Sequence, residues 1–368
     1  MKKLLLSLLL SVSLFAQSGI DNSLKYEVKA SMKKGENFLL AQQNENGSWG
    51  LYGGVPAYSA LSITTLAMSP SRDQYKEQID KGAKYLSQFL NPDGSIHDRS
   101  EHAYPNYTTS LSLMAFYFVD SKKYGDAIRK GRRFLVKSQF GPETGIEEGG
   151  IGYGSNMTKS DLSNTQYALE ALYITESVDQ EGVSPEDVKA TREAWAKALE
   201  FVERCQSSKE NDEELNIEWK ERNYGGFRYS PDRSKTEGPD MAPYAGMTYA
   251  GVKSMIYAKV SKDDPRIKAA MEWVKRNYTL DENPGLKLQG HFYYIHTFAK
   301  ALHAAEIEVV EGENNAKHHW RTDVCKKLLS MQAEEGSWSN PEKRWQENNR
   351  QLVTAYALMS LYYAMAHQ

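Results

Sequence analysis

The side chains best suited to chemistry in this sequence are the carboxylates Glu147, Glu148, Asp161 and Asp240 and the histidines His291, His296, His318 and His319. Two carboxylates held about 5 to 10 Å apart would suit cleavage of a glycosidic bond, one as acid and the other as base or nucleophile. Chain spacing brings no particular two of them together, and the adjacent Glu147-Glu148 also reads as a solvated loop pair. His318-His319 are neighbours, and adjacent side chains diverge on a helix, so they make a poor metal site. The two cysteines, Cys205 and Cys325, form no CxxC pair, which argues against a zinc ribbon or a thioredoxin-like centre. The sequence calls for no metal and no cofactor. What it does have is 23 tyrosines and 7 tryptophans, enough to line an aromatic cavity or to build a core.

The elements that must position these groups come as an internal repeat. Six times a charged amphipathic segment runs into a Gly-rich or aromatic loop and then into a smoother apolar segment. The first copy reads Gln43-Asn44-Glu45-Asn46-Gly47-Ser48-Trp49 before Tyr58 to Leu66, and the last Gln332-Ala333-Glu334-Glu335-Gly336-Ser337-Trp338 before Leu352 to Leu358. Between them lie Asn91-Pro92-Asp93-Gly94-Ser95-Ile96, Gly149-Gly150-Ile151-Gly152-Tyr153, Tyr224-Gly225-Gly226-Phe227-Arg228-Tyr229 and Gly290-His291-Phe292-Tyr293-Tyr294. Ile79, Gly82, Ala83, Leu86, Phe89 and Leu90 share one face of a helix, with Lys81, Lys84 and Gln88 elsewhere. Ser184-Pro185-Glu186-Asp187 reads as a helix start. The second segment of each unit carries few charges on any side and belongs inside. The expectation is an all-α fold: a single (α/α)6 toroid over residues 19–368, six outer helices around six inner ones. A whole unit separates Cys205 from Cys325, so both are expected to be free, buried thiols.

The Gln-x-x-x-x-Gly-Ser-Trp pattern resembles the repeat of the squalene cyclase and protein prenyltransferase superfamily, over nearly all of the chain after residue 18. The resemblance implies an α/α toroid with a central cavity bounded by the inner ring. It also implies catalytic positions. The cyclases protonate their substrate from an Asp-x-Asp-Asp-Thr-Ala segment, to which Asp161-Leu162-Ser163-Asn164-Thr165-Gln166 is similar. Asp161 and Thr165 match, while Ser163 stands where the proton-donating Asp would be, and a serine hydroxyl cannot protonate an alkene. A capping box of Ser163 and Gln166, with Asp161 near the helix N-terminus, accounts for the same residues. Phe292-Tyr293-Tyr294-Ile295-His296-Thr297 resembles the His-bearing zinc segment of prenyltransferases, which places His296 at a ligand position. Its Cys partner is missing, and a lone His on an apolar helix also reads as a hydrogen-bonded core residue. The Gly-Cys-Gly-Glu-Gln motif of the related thioester proteins is absent from the sequence.

If the inner helices face a cavity, the residues at their loop-proximal ends line its mouth: Tyr58, Tyr107, Tyr153, Asp161, Tyr244, Tyr249, His291, Tyr294, His296 and Trp345. Asp161 and His296 are the catalytic candidates among them, and the rest are candidates for substrate contact. An isoprenoid would use the ring faces, and a saccharide would stack on Tyr and Trp with its hydroxyls on Asp, Glu or His; a non-catalytic scaffold is a third reading. With 45 Lys+Arg against 48 Asp+Glu, there is no basic excess for nucleic acid. Met1-Lys2-Lys3 followed by the apolar run Leu4 to Phe15 reads as a secretory signal over residues 1–18, cut after Ala16 or Ser18, for a periplasmic or extracellular protein. No stretch is long enough to cross a membrane. Glu210 to Glu214 reads as a solvated acidic insertion or a partner contact. The oligomeric state is not legible.

Overall fold

A computed structural model of the protein describes residues 19–50, 55–100, 103–154, 158–180, 184–238 and 241–366. The segment read as a secretory signal, and Asp240, lie outside the described residues. Helices run in chain order as α1 (Asn22–Ala41), α2 (Pro56–Met68), α3 (Lys76–Ser87), α4 (Pro105–Asp120), α5 (Gly125–Lys137), α6 (Leu162–Ile174) and α7 (Pro185–Arg204). They continue as α8 (Lys209–Glu214), α9 (Ala245–Tyr257), α10 (Pro265–Arg276), α11 (His291–Ala304), α12 (Trp320–Met331) and α13 (Arg350–Met365). The one sheet among the described residues is a two-residue ribbon, Val310–Glu311 against Lys317–His318.

The inner ring closes on itself. Helix α2 packs on α4, α4 on α6, α6 on α9, α9 on α11, α11 on α13 and α13 on α2. The outer helices α1, α3, α5, α7, α10 and α12 pack against the outside of that ring. Ser184 caps α7 with its side chain, and Pro185 takes the first helical position. Cys205 and Cys325 are buried and unpaired.

The repeated motif has a physical meaning, carried in whole or in part by five of the six units. The amide of Gln43 donates to the carbonyls of Gly47 and of Gln78 on the next outer helix, at 3.0 and 2.9 Å. Gln139, Gln206 and Gln332 repeat this double bond on Gly149 and Ala194, Gly225 and Arg266, and Gly336 and Ser31. The last of these joins the sixth unit to the first. Each loop glycine has positive φ and sits against a backbone carbonyl of that next helix, Lys81 for Gly47 and Ala269 for Gly225, so that a Cβ there would collide with it. Two residues on, the backbone N–H of Trp49, Ile96, Ile151, Phe227 or Trp338 donates to a Ser or Thr hydroxyl of the inner helix. Trp49 and Trp338 are fully buried, and their indole N–H groups bond Leu39 and Leu328 carbonyls at 2.7 and 2.8 Å.

Two sequence readings are corrected. Gly290 to Tyr294 is not the fifth loop: Gly290 is the N-cap of α11, and His291 to Tyr294 form its first turn. The aromatic loop signal there is an inner-helix start. The acidic insertion is likewise more than a solvated loop. It forms α8, and its Asp212 is buried, 2.8 Å from the buried guanidinium of Arg228 and accepting from Ser207 Oγ.

Candidate functional site

Because every unit runs outward helix, loop, inward helix, the inner helices all start at one end of the toroid. Their positive dipole ends and their loops form a single mouth. Asp161, the N-cap of α6, is 3% exposed, and its Oδ1 accepts from the backbone N–H of Asn164 at 2.8 Å while the Asn164 side chain holds both oxygens. The cap is therefore Asp161 itself and not a Ser163–Gln166 box. Helix α6 begins at Leu162, so Ser163 and Gln166 lie inside it, and both reach the Tyr293 hydroxyl, at 3.1 and 3.3 Å. Burial pushes the Asp161 carboxyl up to about 6, against the opposing effect of its bonds to Asn164 and Tyr229 and of the Arg233 charge.

Around Asp161 stand Tyr153, Tyr229, Tyr244 and Tyr293, close enough for its charge to raise each of their phenols on top of the larger effect of burial. Tyr107 touches Tyr153 and stands edge-on to Tyr167, with ring centroids 6.4 and 5.3 Å apart. The Tyr58 hydroxyl donates to Gln346 at 3.0 Å, from the first unit to the sixth. Trp345, 40% exposed, lies on the rim beneath the Arg344 guanidinium. Trp345 and Gln346 both have left-handed backbones, φ 54° and 63°, which is costly for side chains of this size. The rim is cationic: Lys235 sits 4.0 Å over the Tyr229 ring, and burial, then Arg344 and Arg233, hold its ammonium below the usual range although Asp161 opposes them.

Four of the expected mouth residues lie elsewhere, His296 deeper along the axis and the other three away from it. Tyr249, Tyr294 and His291 pack between the two helical layers. Tyr249 packs at a tilt on Tyr294 and edge-on to Phe298, the Tyr294 hydroxyl donates to the Thr279 carbonyl, and His291 Nε2 bonds the Leu280 carbonyl at 2.8 Å. Helical phase explains the exchange: one residue along α11 turns a side chain by about 100°, so Tyr293 and not Tyr294 faces the axis. Glu347 was also missed. It is buried, and its carboxylate accepts from the backbone N–H groups of Phe292 and Tyr293 at 3.2 and 2.7 Å, capping α11 where Gly290 has no side chain to do so.

Among the described residues, tyrosines fill the axis where an open pocket was expected. Tyr107, Tyr167, Tyr293 and Tyr356 meet across the barrel, with Tyr167–Tyr293 and Tyr293–Tyr356 centroids 6.3 and 6.1 Å apart. Below them Glu170 of α6 binds Lys253 of α9 and Lys300 of α11 at 2.6 and 2.5 Å, all three buried. His296, stacked on Tyr356, faces this cluster, and burial together with the two lysines holds its imidazole well below the usual range. The remaining axial cavity, lined by Glu170, His296, Lys300, Tyr167 and apolar side chains, measures about 10 Å³, room for about one water. Inner helices that bring Tyr, Met and Lys to the axis fill it. Among the described residues no three His, Cys, Asp or Glu side chains gather as a metal-ligand group. A groove of about 520 Å³ lies at the opposite end, between α5, α6, α7 and α9, with Trp195 and the stacked Tyr173–Tyr257 pair in its walls.

No protein-family model and no curated protein matches this chain. Solved structures do. A variant of the type II terpene cyclase MstE from Scytonema, in complex with geranylgeranyl dihydroxybenzoate, is 14% identical with a TM-score of 0.58, over 94% of this chain and 99% of that one. The protein geranylgeranyltransferase-I of Candida albicans, complexed with GGPP, is 14% identical with a TM-score of 0.55, over 90% of each chain. A protein from Actinoplanes is 15% identical with a TM-score of 0.56, over 92% and 99%. The fold is the terpenoid cyclase-like and prenyltransferase toroid.

Proposed function

We propose that this protein is an exported binder of a hydrophobic, terpenoid-like ligand, which it engages at the mouth with the ligand's polar end toward Asp161. The observation that carries this reading is the mouth itself: a buried carboxyl with a raised pKa, ringed by Tyr153, Tyr229, Tyr244 and Tyr293 and edged by Trp345, Lys235 and Arg344. Aromatic walls suit an apolar chain, and convergent polar groups at one end fix its orientation. The likeness to proteins bound to geranylgeranyl compounds supports the ligand class.

The same geometry limits the chemistry. Protonating an alkene requires an acid made stronger than usual, whereas burial has made Asp161 weaker, and Ser163 replaces the cyclase donor. Asp161 is suited instead to share a proton with an oxygen on the ligand near neutral pH, as hydrogen-bond donor or general acid. A long chain would also need the axial tyrosines to turn, because a ligand cavity measures roughly 300 Å³ or more. Native mass spectrometry after incubation with isoprenoid and polysaccharide extracts tests the reading. Retained polyprenyl species support it; retained or cleaved oligosaccharides, or no adduct, overturn it.

A further inference from the structure

Glu170, Lys253 and Lys300 sum to a net charge of +1 in the centre of the barrel. Their side chains are 1, 2 and 5% exposed. Among the described residues, the ionisable groups that act on Lys253 are Glu170 and Lys300, those that act on His296 are Lys300 and Lys253, and neither set contains a second acid. The facing phenols of Tyr167, Tyr257 and Tyr363 are all held neutral by burial. An uncompensated charge at such a place is expensive.

Hydrogen bonding points the same way as charge. Each ammonium has three N–H donors and uses one on Glu170. Beyond that, Lys253 lies 5.6 Å from the centre of the Tyr167 ring and Lys300 5.6 Å from that of Tyr363, faces that attract a cation without accepting a full hydrogen bond. His296 is 2% exposed, and its Nδ1 has no partner. Lys300, His296 and Glu170 share the wall of the 10 Å³ cavity with Thr64, Tyr167 and Tyr363, and its other sides are apolar groups such as Leu61, Leu111 and Met114. Lys300 in the wall, and Lys253 bonded to the same Glu170 carboxylate, repel a cation from that space, and its size rejects a polyatomic oxyanion.

We propose that this cavity is a site for a small monovalent anion of the chloride class, held between the Lys300 ammonium and the His296 imidazole. The anion neutralises the cluster through which Glu170, Lys253 and Lys300 join α6, α9 and α11, a role separate from the mouth and independent of its ligand.

The test compares the full chain in sodium chloride and in sodium gluconate at equal ionic strength. Chloride is expected to raise the thermal midpoint saturably, by about 2 °C or more, because it binds the folded state alone, and Lys300→Met should abolish that rise. Equal midpoints in the two salts, or an equal rise in K300M, overturn the proposal. Should K300M fail to fold, crystals of the unaltered chain decide it by long-wavelength anomalous scattering. A chlorine signal in contact with Lys300 Nζ supports the site, and its absence from chloride-grown crystals overturns it.

Discussion

Replacing Glu170 by Gln should destabilise this protein strongly. Glu170 accepts from Lys253 and Lys300 at 2.6 and 2.5 Å, and Gln keeps the shape while removing the charge that both ammonium groups face. Breaking a buried pair from one side costs about 3 to 5 kcal/mol, and here two cations are left facing each other. The pH dependence has a definite sign. Burial holds Lys253 down to about 8 in the folded chain, from 10.5. Above 10.5 the lysine is neutral folded or unfolded; between there and 8 the unfolded chain binds the extra proton, so stability falls as pH falls, with the full penalty below 8. Glu170, held below its usual 4.5 by the two lysines despite its burial, contributes stability that is lost as pH drops through its folded value. E170Q should lack that acid limb and gain stability more steeply toward alkaline pH than the parent. Urea unfolding from about pH 3 to pH 10 measures both, since the Glu170 limb lies below 4.5, with an apolar triple variant at positions 170, 253 and 300 expected near the parent's stability. A loss within about 1 kcal/mol for E170Q at pH 7, in the range of a surface pair, would refute the reasoning.

Four further outcomes follow from the geometry. Asp161→Ala should cost about 1 kcal/mol of stability through the lost cap, while Asp161→Asn keeps the cap; both should weaken ligand retention, and in the parent retention should fall as pH rises through about 6. Because its folded-state pKa lies above 3.8, Asp161 should itself favour the folded state most below that value and progressively less as pH climbs to about 6. Gly225→Ala should destabilise by more than the roughly 1 kcal/mol of an ordinary glycine exchange, since φ is 86° and the new Cβ meets the Ala269 carbonyl; thermal unfolding reads it. Tyr356→Ala should cost about 3 to 5 kcal/mol and open the axis, so isoprenoid retention per folded molecule should rise.

How much was legible in the sequence depended on whether the signal was local. Gln43, Gly47 and Trp49, and Gln332, Gly336 and Trp338, marked the loops because each residue type answers a backbone need within its own unit or the next helix. Ser184-Pro185 marked α7 for the same reason. The fifth unit went astray where aromatic residues follow a glycine at a helix start rather than in a loop, and a one-residue phase error moved Tyr294 to the mouth in place of Tyr293. Glu347 and Glu170 were not visible because their partners are 54 and 130 residues away and carry no shared pattern. The filled axis is likewise a property of six helices at once: Tyr107, Tyr167, Tyr293 and Tyr356 each read as pocket or core until their neighbours are known.

The most direct measurement is photo-crosslinking with a diazirine-bearing geranylgeranyl probe, followed by peptide mapping. Labels on Tyr153, Tyr229, Tyr293 or Trp345, competed by unlabelled isoprenoid and reduced in D161A, are the predicted result. Labels concentrated on Trp195 and Tyr257 in the groove at the opposite end, or labelling that no isoprenoid competes, would contradict it.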